Sequence, residues 1–182
     1  MVKKFFGHLK TVIVHRFWVC VYCFKFGVPF RGLIHDLSKF SPVEFFESVK
    51  YYTGSSSPID EAKKATGYSA AWMHHKSHNK HHHEYWTDNY NQGTTCVCMP
   101  YKYTIEMCCD FLGAGRAYQK KKFSYESELK WWKSQEPIRK MHPVNKCFAT
   151  WFFEQLAQGT KLTKKQMKFQ YRVLYKFLNG DK

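Results

Sequence analysis

Ten histidines are spread unevenly along this chain of 182 residues, and seven of them fall in two places. His35 is followed at once by Asp36. Further on, His74, His75, His78, His81, His82 and His83 crowd into one stretch that ends at Glu84. Imidazole nitrogen and carboxylate oxygen together suit borderline and hard divalent cations such as Mn, Fe, Zn, Co or Ni. Residues four apart share a helix face, so His74 with His78 is one chelating pair. His75 with His82 is another if the helix runs on. The cluster is internal and interleaved with Trp72, Asn79, Tyr85 and Trp86, which separates it from an appended tag. The expected cofactor is therefore one or two divalent ions. A bound divalent ion lowers the pKa of its water toward about 7. A carboxylate such as Asp36 has two oxygens and is apt to bridge two ions.

Other residues are weaker candidates. His8, His15 and His142 stand apart, and Asp110 lies downstream. Glu84 reads as a base or ligand, or as a solvated loop residue. Trp72, Tyr85, Trp86 and Tyr90 read as core aromatics or as stacking surfaces for a base. Arg31 and Lys76 are the cations expected to meet a substrate phosphate. The seven cysteines are odd in number and expected to be reduced. Cys20 with Cys23 and Cys96 with Cys98 have zinc-ligand spacings, but the first pair sits in an apolar helical run, where free Cys acts as a small hydrophobe.

These residues need elements to hold them. Val2 to Phe26 reads as one long helix, with Leu9, Val12, Ile13, Phe17 and Val21 at helical spacing, stopped by Gly27-Val28-Pro29. Phe30 to Lys39 reads as a short helix or helical turn carrying His35 and Asp36. Lys39, three residues after Asp36, then faces the same side. Ser41-Pro42-Val43-Glu44 is a helix start with capping-box spacing, and that helix should end at Gly54. Ser57 starts another, Gly67 breaks it, and a further stretch runs from Tyr68 to about His78. Residues 79–100 read as irregular, without useful β-alternation. Tyr101 to Gln119 reads as a helix loosened by Gly113 and Gly115. Tyr125 to Gln135, Pro143 to Gln158 and Thr163 to Leu178 follow, the last basic and amphipathic. The fold class is all-α, in a single domain, with the metal-site core over residues 8–119 and a helical extension over 120–182.

Net charge is +15, from 29 Lys+Arg against 14 Asp+Glu. Such a field concentrates anions: nucleotides, nucleic acid or an acidic surface. The apolar stretch from Val12 to Val28 is broken by His15, Arg16 and Lys25, which disfavours a membrane span. A cytoplasmic location is expected, bacterial, or in the host if the gene is of phage origin.

The order His15, His35-Asp36, histidine cluster, Asp110 has a counterpart. The segment RGLIHDLSKF resembles the His-Asp core of the HD-domain superfamily, and the likeness covers about Thr11 to Gly115. The whole chain also resembles an uncharacterised bacterial and phage family known only as a domain of unknown function, through HDLSKFSPVEF, the HHKSHNKHH stretch and MPYKYTIEMCCD. The HD resemblance implies a helical bundle in which His35 and Asp36 are the paired ligands. It implies His15 as the first histidine, with His8 as fallback, and Asp110 as the final carboxylate. His75 and His82 match the two extra histidines of two-metal members, with His74 and His81 competing at the same spacing. It also implies Asp36 and Lys39 as catalytic residues, with Lys39 toward substrate phosphate. The function so implied is hydrolysis of a nucleotide or related phosphate ester by metal-activated water. The alternatives are a non-catalytic, metal-stabilised protein that sequesters nucleotide or nucleic acid, and an HD-like di-iron oxygenase.

Overall fold

A computed structural model of the protein describes residues 1–91 and 93–179. Nine α-helices lie among them, in the order α1 (Val2–Lys25), α2 (Pro29–Ile34), α3 (Pro42–Tyr51), α4 (Pro58–Thr66), α5 (Ala70–His78), α6 (Tyr101–Gln119), α7 (Tyr125–Gln135), α8 (Pro143–Ala157) and α9 (Lys164–Asn179). None is long and apolar enough to cross a membrane. Short β-strands, β1 (Thr87–Tyr90) and β2 (Gly93–Cys96), pair antiparallel with Thr87 opposite Cys96. This hairpin falls in the stretch expected to be irregular. Four residues per strand are too few for alternation to show in sequence.

Ser41 and Thr163 cap as the sequence suggests, Ser69 is a further cap, and Ser57 starts α4 without a side-chain cap bond. Ser41 accepts from the Glu44 N–H at 3.4 Å, Ser69 caps α5 through the Trp72 N–H at 3.0 Å, and Thr163 accepts from the Gln166 N–H at 3.3 Å. Gly67 ends α4 in the left-handed region at φ 82°.

Two readings are corrected. His35 and Asp36 do not lie on a helix. They form the break between α2 and a 3-10 turn over Leu37–Phe40, with Asp36 itself left-handed at φ 52°. The buried stripe of α1 also differs from the expected one. His8, Val12, His15, Val19, Tyr22 and Cys23 face inward, whereas Ile13, Phe17 and Val21 are exposed. The inward stripe is the one that meets α6. Gly113 is why the two helices come so close: a Cβ there would sit 2.4 Å from Val19 Cγ2 and 3.1 Å from the Val19 backbone nitrogen. Gly113 is thus a helix-contact residue and not a loosened helix end.

The hydrophobic core lies on the C-terminal side of this contact. Phe26, Ile105, Leu112, Trp132, Phe148, Phe152 and Met167 are fully buried there, drawn from α1, α6, α7, α8 and α9. Asn145 on α8 fixes the start of α6, donating to Met99 O and Thr104 Oγ1 and accepting from the Met99 N–H, each at 2.9 Å. The extension over 120–182 therefore supplies much of the core that holds α6 in place.

Candidate metal centre

Four parts of the chain converge beside the α1–α6 contact. Arg16 on α1 donates from Nε to His35 O at 2.8 Å and from Nη2 to Leu33 O at 3.2 Å, capping the carbonyl end of α2. That bond seats the His35-Asp36 turn against α1. Helix α3 holds α5 by two carboxylates. Glu47 accepts from the Ser69 hydroxyl and from the Ala70 and Ala71 N–H groups at 3.1 and 3.2 Å, which suits the positive end of α5. Glu44, one turn earlier, accepts from His75 Nδ1 and His74 Nδ1, both at 2.7 Å. The capping-box reading of Glu44 holds only for its backbone, since the side chain is turned to the histidines.

The ligand-type atoms form two sets that share Asp36. His15, His35, Asp36 and Asp110 offer atoms within 4.8 Å of one another, as do Asp36, His75, His81 and His82. Asp36 Oδ2 lies 3.6 Å from His15 Nε2 and 3.4 Å from His35 Nε2. Its Oδ1 lies 3.4 Å from both His75 Nε2 and His81 Nε2. Asp110 Oδ1 closes the first set, at 3.0 Å from His15 Nε2 and 3.4 Å from His35 Nε2. His35, Asp36 and His81 are each about 1% exposed.

Behind the imidazoles stand carboxylates that fix their tautomers. Glu106, fully buried, accepts from His35 Nδ1 at 3.2 Å, and the same Oε1 lies 3.4 Å from His81 Nδ1. Glu44 does the same for His75. The Nδ1 protons of His35 and His75 are thereby directed at carboxylates and their Nε2 atoms at the centre, the arrangement that orients metal-binding histidines, whereas His81 Nδ1 makes no hydrogen bond. Glu106 is held in turn by Arg31, whose Nε donates at 2.6 Å. Burial alone would raise the Glu106 carboxyl, but His35, His81 and Arg31 bring it down to about 2. Burial works against the charged form of His35 as well, yet Asp36, Asp110 and Glu106 lift it to about 10. In this chain by itself, a proton on His35 supplies positive charge that the carboxylates demand.

The donor set fits a divalent cation. Burying polar atoms without partners costs about 1–3 kcal/mol each. Here the buried Asp36 Oδ1, His81 Nε2 and His82 Nε2 lack hydrogen-bond partners, all within one set. One ion would satisfy the three together. All donors are nitrogen and oxygen, which suits Mn, Fe, Co, Ni or Zn. Among the described residues no cysteine joins a possible ligand set.

The expected metal ligands His15, His35, Asp36, His75, His82 and Asp110 are all brought together, and His81 joins them. His74 reaches only Glu44 and stacks on His78, ring centroids 4.0 Å apart. His83 lies against Arg139 and Glu84, and His142 caps α8. Cavity geometry then sorts the cations. A cavity of about 180 Å³ opens beside the first set, lined by His15, Asp110, Lys39, His8, Thr11 and Tyr118 among others. Lys39 Nζ lies 2.9 Å from Asp36 Oδ2. Arg31 is taken by Glu106 and covers the Tyr103 ring, and neither it nor Lys76 lines this cavity. His8, the fallback ligand, is a cavity wall instead. Burial, with Lys39 nearby, lowers it to about 4, so it is neutral. Trp72 packs on His75 and His82 in the histidine cluster, Tyr85 and Trp86 pack on each other, and the Tyr90 side chain lies outside the described part.

Sequence reasoning missed Glu44 and Glu106 as parts of the centre, and held His81 only as a competitor of His82, whereas both lie in the same set. Glu106 carried a signal: it and Asp110 are the two acids in the otherwise mostly apolar run from Tyr103 to Leu112, four residues apart and so on one helix face.

Residues 4–156 match the model of a family described as a family of unknown function, DUF5662. The chain belongs to that family. The matched span reaches from α1 into α8 and includes every residue of the centre. No curated protein and no solved structure matches the chain. The family match carries no link to the HD-domain superfamily.

Proposed function

We propose that this family member is a metal-dependent phosphohydrolase in which His15, His35 and Asp110 on one side and His75, His81 and His82 on the other would hold divalent ions, with Asp36 common to both sets. One observation carries the reading: the two oxygens of a single buried carboxylate face two separate imidazole sets. The HD-like order of ligands supports it, as an analogy. Divalent ions held there would supply acidified water and positive charge against phosphate oxygens.

The chain's own residues do the rest. Glu44 and Glu106 keep the Nδ1 protons of His75 and His35 in place, so these imidazoles present Nε2 without rearrangement. Lys39 stays protonated beside Asp36, at the mouth of the cavity where a phosphate oxygen would arrive. Near-complete burial of the ligand atoms keeps competing water away, which strengthens each charge interaction.

The test begins with elemental analysis of untagged protein, then a panel of phosphomonoesters, phosphodiesters and cyclic dinucleotides with the recovered metal restored. Asp36→Asn is the informative variant, because Asn tolerates a left-handed backbone and keeps the volume. It should lose turnover and metal content while helicity by circular dichroism is unchanged. If metal-loaded wild type binds nucleotides tightly and cleaves nothing in the panel, the protein is a sequestering one.

A further inference from the structure

Next to the metal-side cavity lies a larger, basic groove of about 680 Å³, and the two share Thr11, Ala117 and Tyr118 as walls. Four cations line the groove, Lys10 from α1 and Arg116, Lys120 and Lys121 from the end of α6 and the turn after it, and no acid does. Tyr118, 48% exposed, stands where the two spaces meet. Trp18 forms part of the wall, with the Arg116 guanidinium 5.0 Å above its ring. We infer that this groove binds single-stranded nucleic acid and delivers one of its phosphates to the metal centre. The inference rests on the hydrolase reading for its last step only; the binding stands without it.

Three arguments select this ligand. A mononucleotide has one phosphate group, which the centre and Lys39 would already engage, so Lys10, Arg116, Lys120 and Lys121 would face no charge. A chain of phosphates meets all of them. The cavity of about 180 Å³ is below the roughly 300 Å³ at which small-molecule pockets begin, so a base must lie outside it, against Tyr118. A duplex is disfavoured by width: the ligands that line the cavity, His15 and Asp110, are under 10% exposed and lie too deep for a phosphate fixed on a rigid helix, whereas single strands unstack and splay bases onto aromatic rings. Arg116 is held beside the Trp18 and Phe123 rings and donates to the Tyr22 hydroxyl, so it contributes fixed charge to the groove and leaves stacking to Tyr118.

The experiment is fluorescence anisotropy with a labelled oligothymidylate about 12 nucleotides long. The protein is used as purified, and probe integrity is checked on a denaturing gel after each titration. Affinity should fall with salt, and Lys10→Gln/Lys120→Gln/Lys121→Gln should weaken binding more than tenfold. That variant should also flatten the log–log salt slope by about 2, at roughly 0.7 per phosphate contact in a single strand. Tyr118→Leu should weaken binding about fivefold or more while Tyr118→Phe binds as wild type, as stacking predicts. The triple variant should hydrolyse p-nitrophenyl phosphate at the wild-type rate if the hydrolase reading is right. Binding without any cleavage would refute the hydrolase and leave the groove assignment standing. The assignment is overturned if thymidine monophosphate binds as tightly as the oligomer, if duplex binds better, if polyglutamate displaces the oligomer equally well, or if the triple variant binds like wild type.

Discussion

Glu106→Gln separates the roles of geometry and charge at the centre. Glu106 has no solvent exposure, and its carboxyl is held at about 2 against an ordinary 4.5. At 1.36 kcal/mol per pKa unit the gap is a ceiling of about 3 kcal/mol on what the charge contributes. The sign follows from linkage. A carboxyl depressed in the fold contributes stability above its unfolded value, and that contribution is lost as pH falls through the folded one. In EDTA, the variant should therefore be about 2–3 kcal/mol less stable than wild type at pH 7, with the difference shrinking as pH falls from about 4.5 toward 2. Gln has one acceptor oxygen, so it cannot accept from His35 Nδ1 without turning its N–H donors on Arg31. Outer carboxylates of this kind set metal affinity by about 10–100-fold, or roughly 1.4–2.7 kcal/mol. Urea melts at pH 7 and pH 3 read the first effect, and calorimetric metal titration reads the second. Arg31→Gln is the control, expected to lose stability while keeping most of the metal affinity. Wild-type metal affinity in Glu106→Gln would refute the claim that this carboxylate orients His35.

Three further outcomes are expected. Gly113→Ala pushes a methyl group against Val19 and should cost about 1–3 kcal/mol in urea melts; a wild-type midpoint would show that α1 and α6 are not in tight contact. Burial, and Asp110 beside it, raise Glu128 to about 8, so its carboxyl is neutral in the fold and the stability tied to that proton is lost as pH climbs from about 4.5 through 8. Glu128→Gln should thus gain on wild type by up to about 3 kcal/mol between pH 5.5 and 8.5 in EDTA, under a ceiling of about 5 kcal/mol, and equal stability at both pH values would contradict this. Thiol labelling of the native protein should modify exposed Cys147 first and leave buried Cys23, Cys108 and Cys109 unreacted until urea is added; fast labelling of Cys108 or Cys109 would mean that α6 opens readily.

Helices were legible where their starts are chemical: Ser41 and Thr163 are capping residues in both sequence and structure. The histidines were legible as a cluster, but not which ones turn inward. His74 and His75 are neighbours, and Glu44, on another helix, decides that one points in and the other half out. His81 and His82 both follow the end of α5, so helical spacing could not decide between them, and both turn inward. The backbone at Asp36 was misread because a helical pattern continues on both sides of it, and nothing in a run of side chains announces a single left-handed residue. Arg31 looked like a free cation because its partner, Glu106, is remote in sequence.

The ligand atoms come from α1, from the turn after α2, from α5 with the segment following it, and from α6. Any cation gripping all four would act as a reversible cross-link between distant stretches of chain, closing nested loops the largest of which runs from His15 to Asp110. Closing such loops is entropically costly for the unfolded chain. An ion present at about a thousand times its dissociation constant would return about 4 kcal/mol to the fold. The aromatic core formed with α7, α8 and α9 lies outside those loops apart from what α1 and α6 share with it. A chelator should therefore loosen the segment from α2 to α5 before the rest, so that protease nicks within residues 29–99 would report cation supply while the C-terminal helices stay intact.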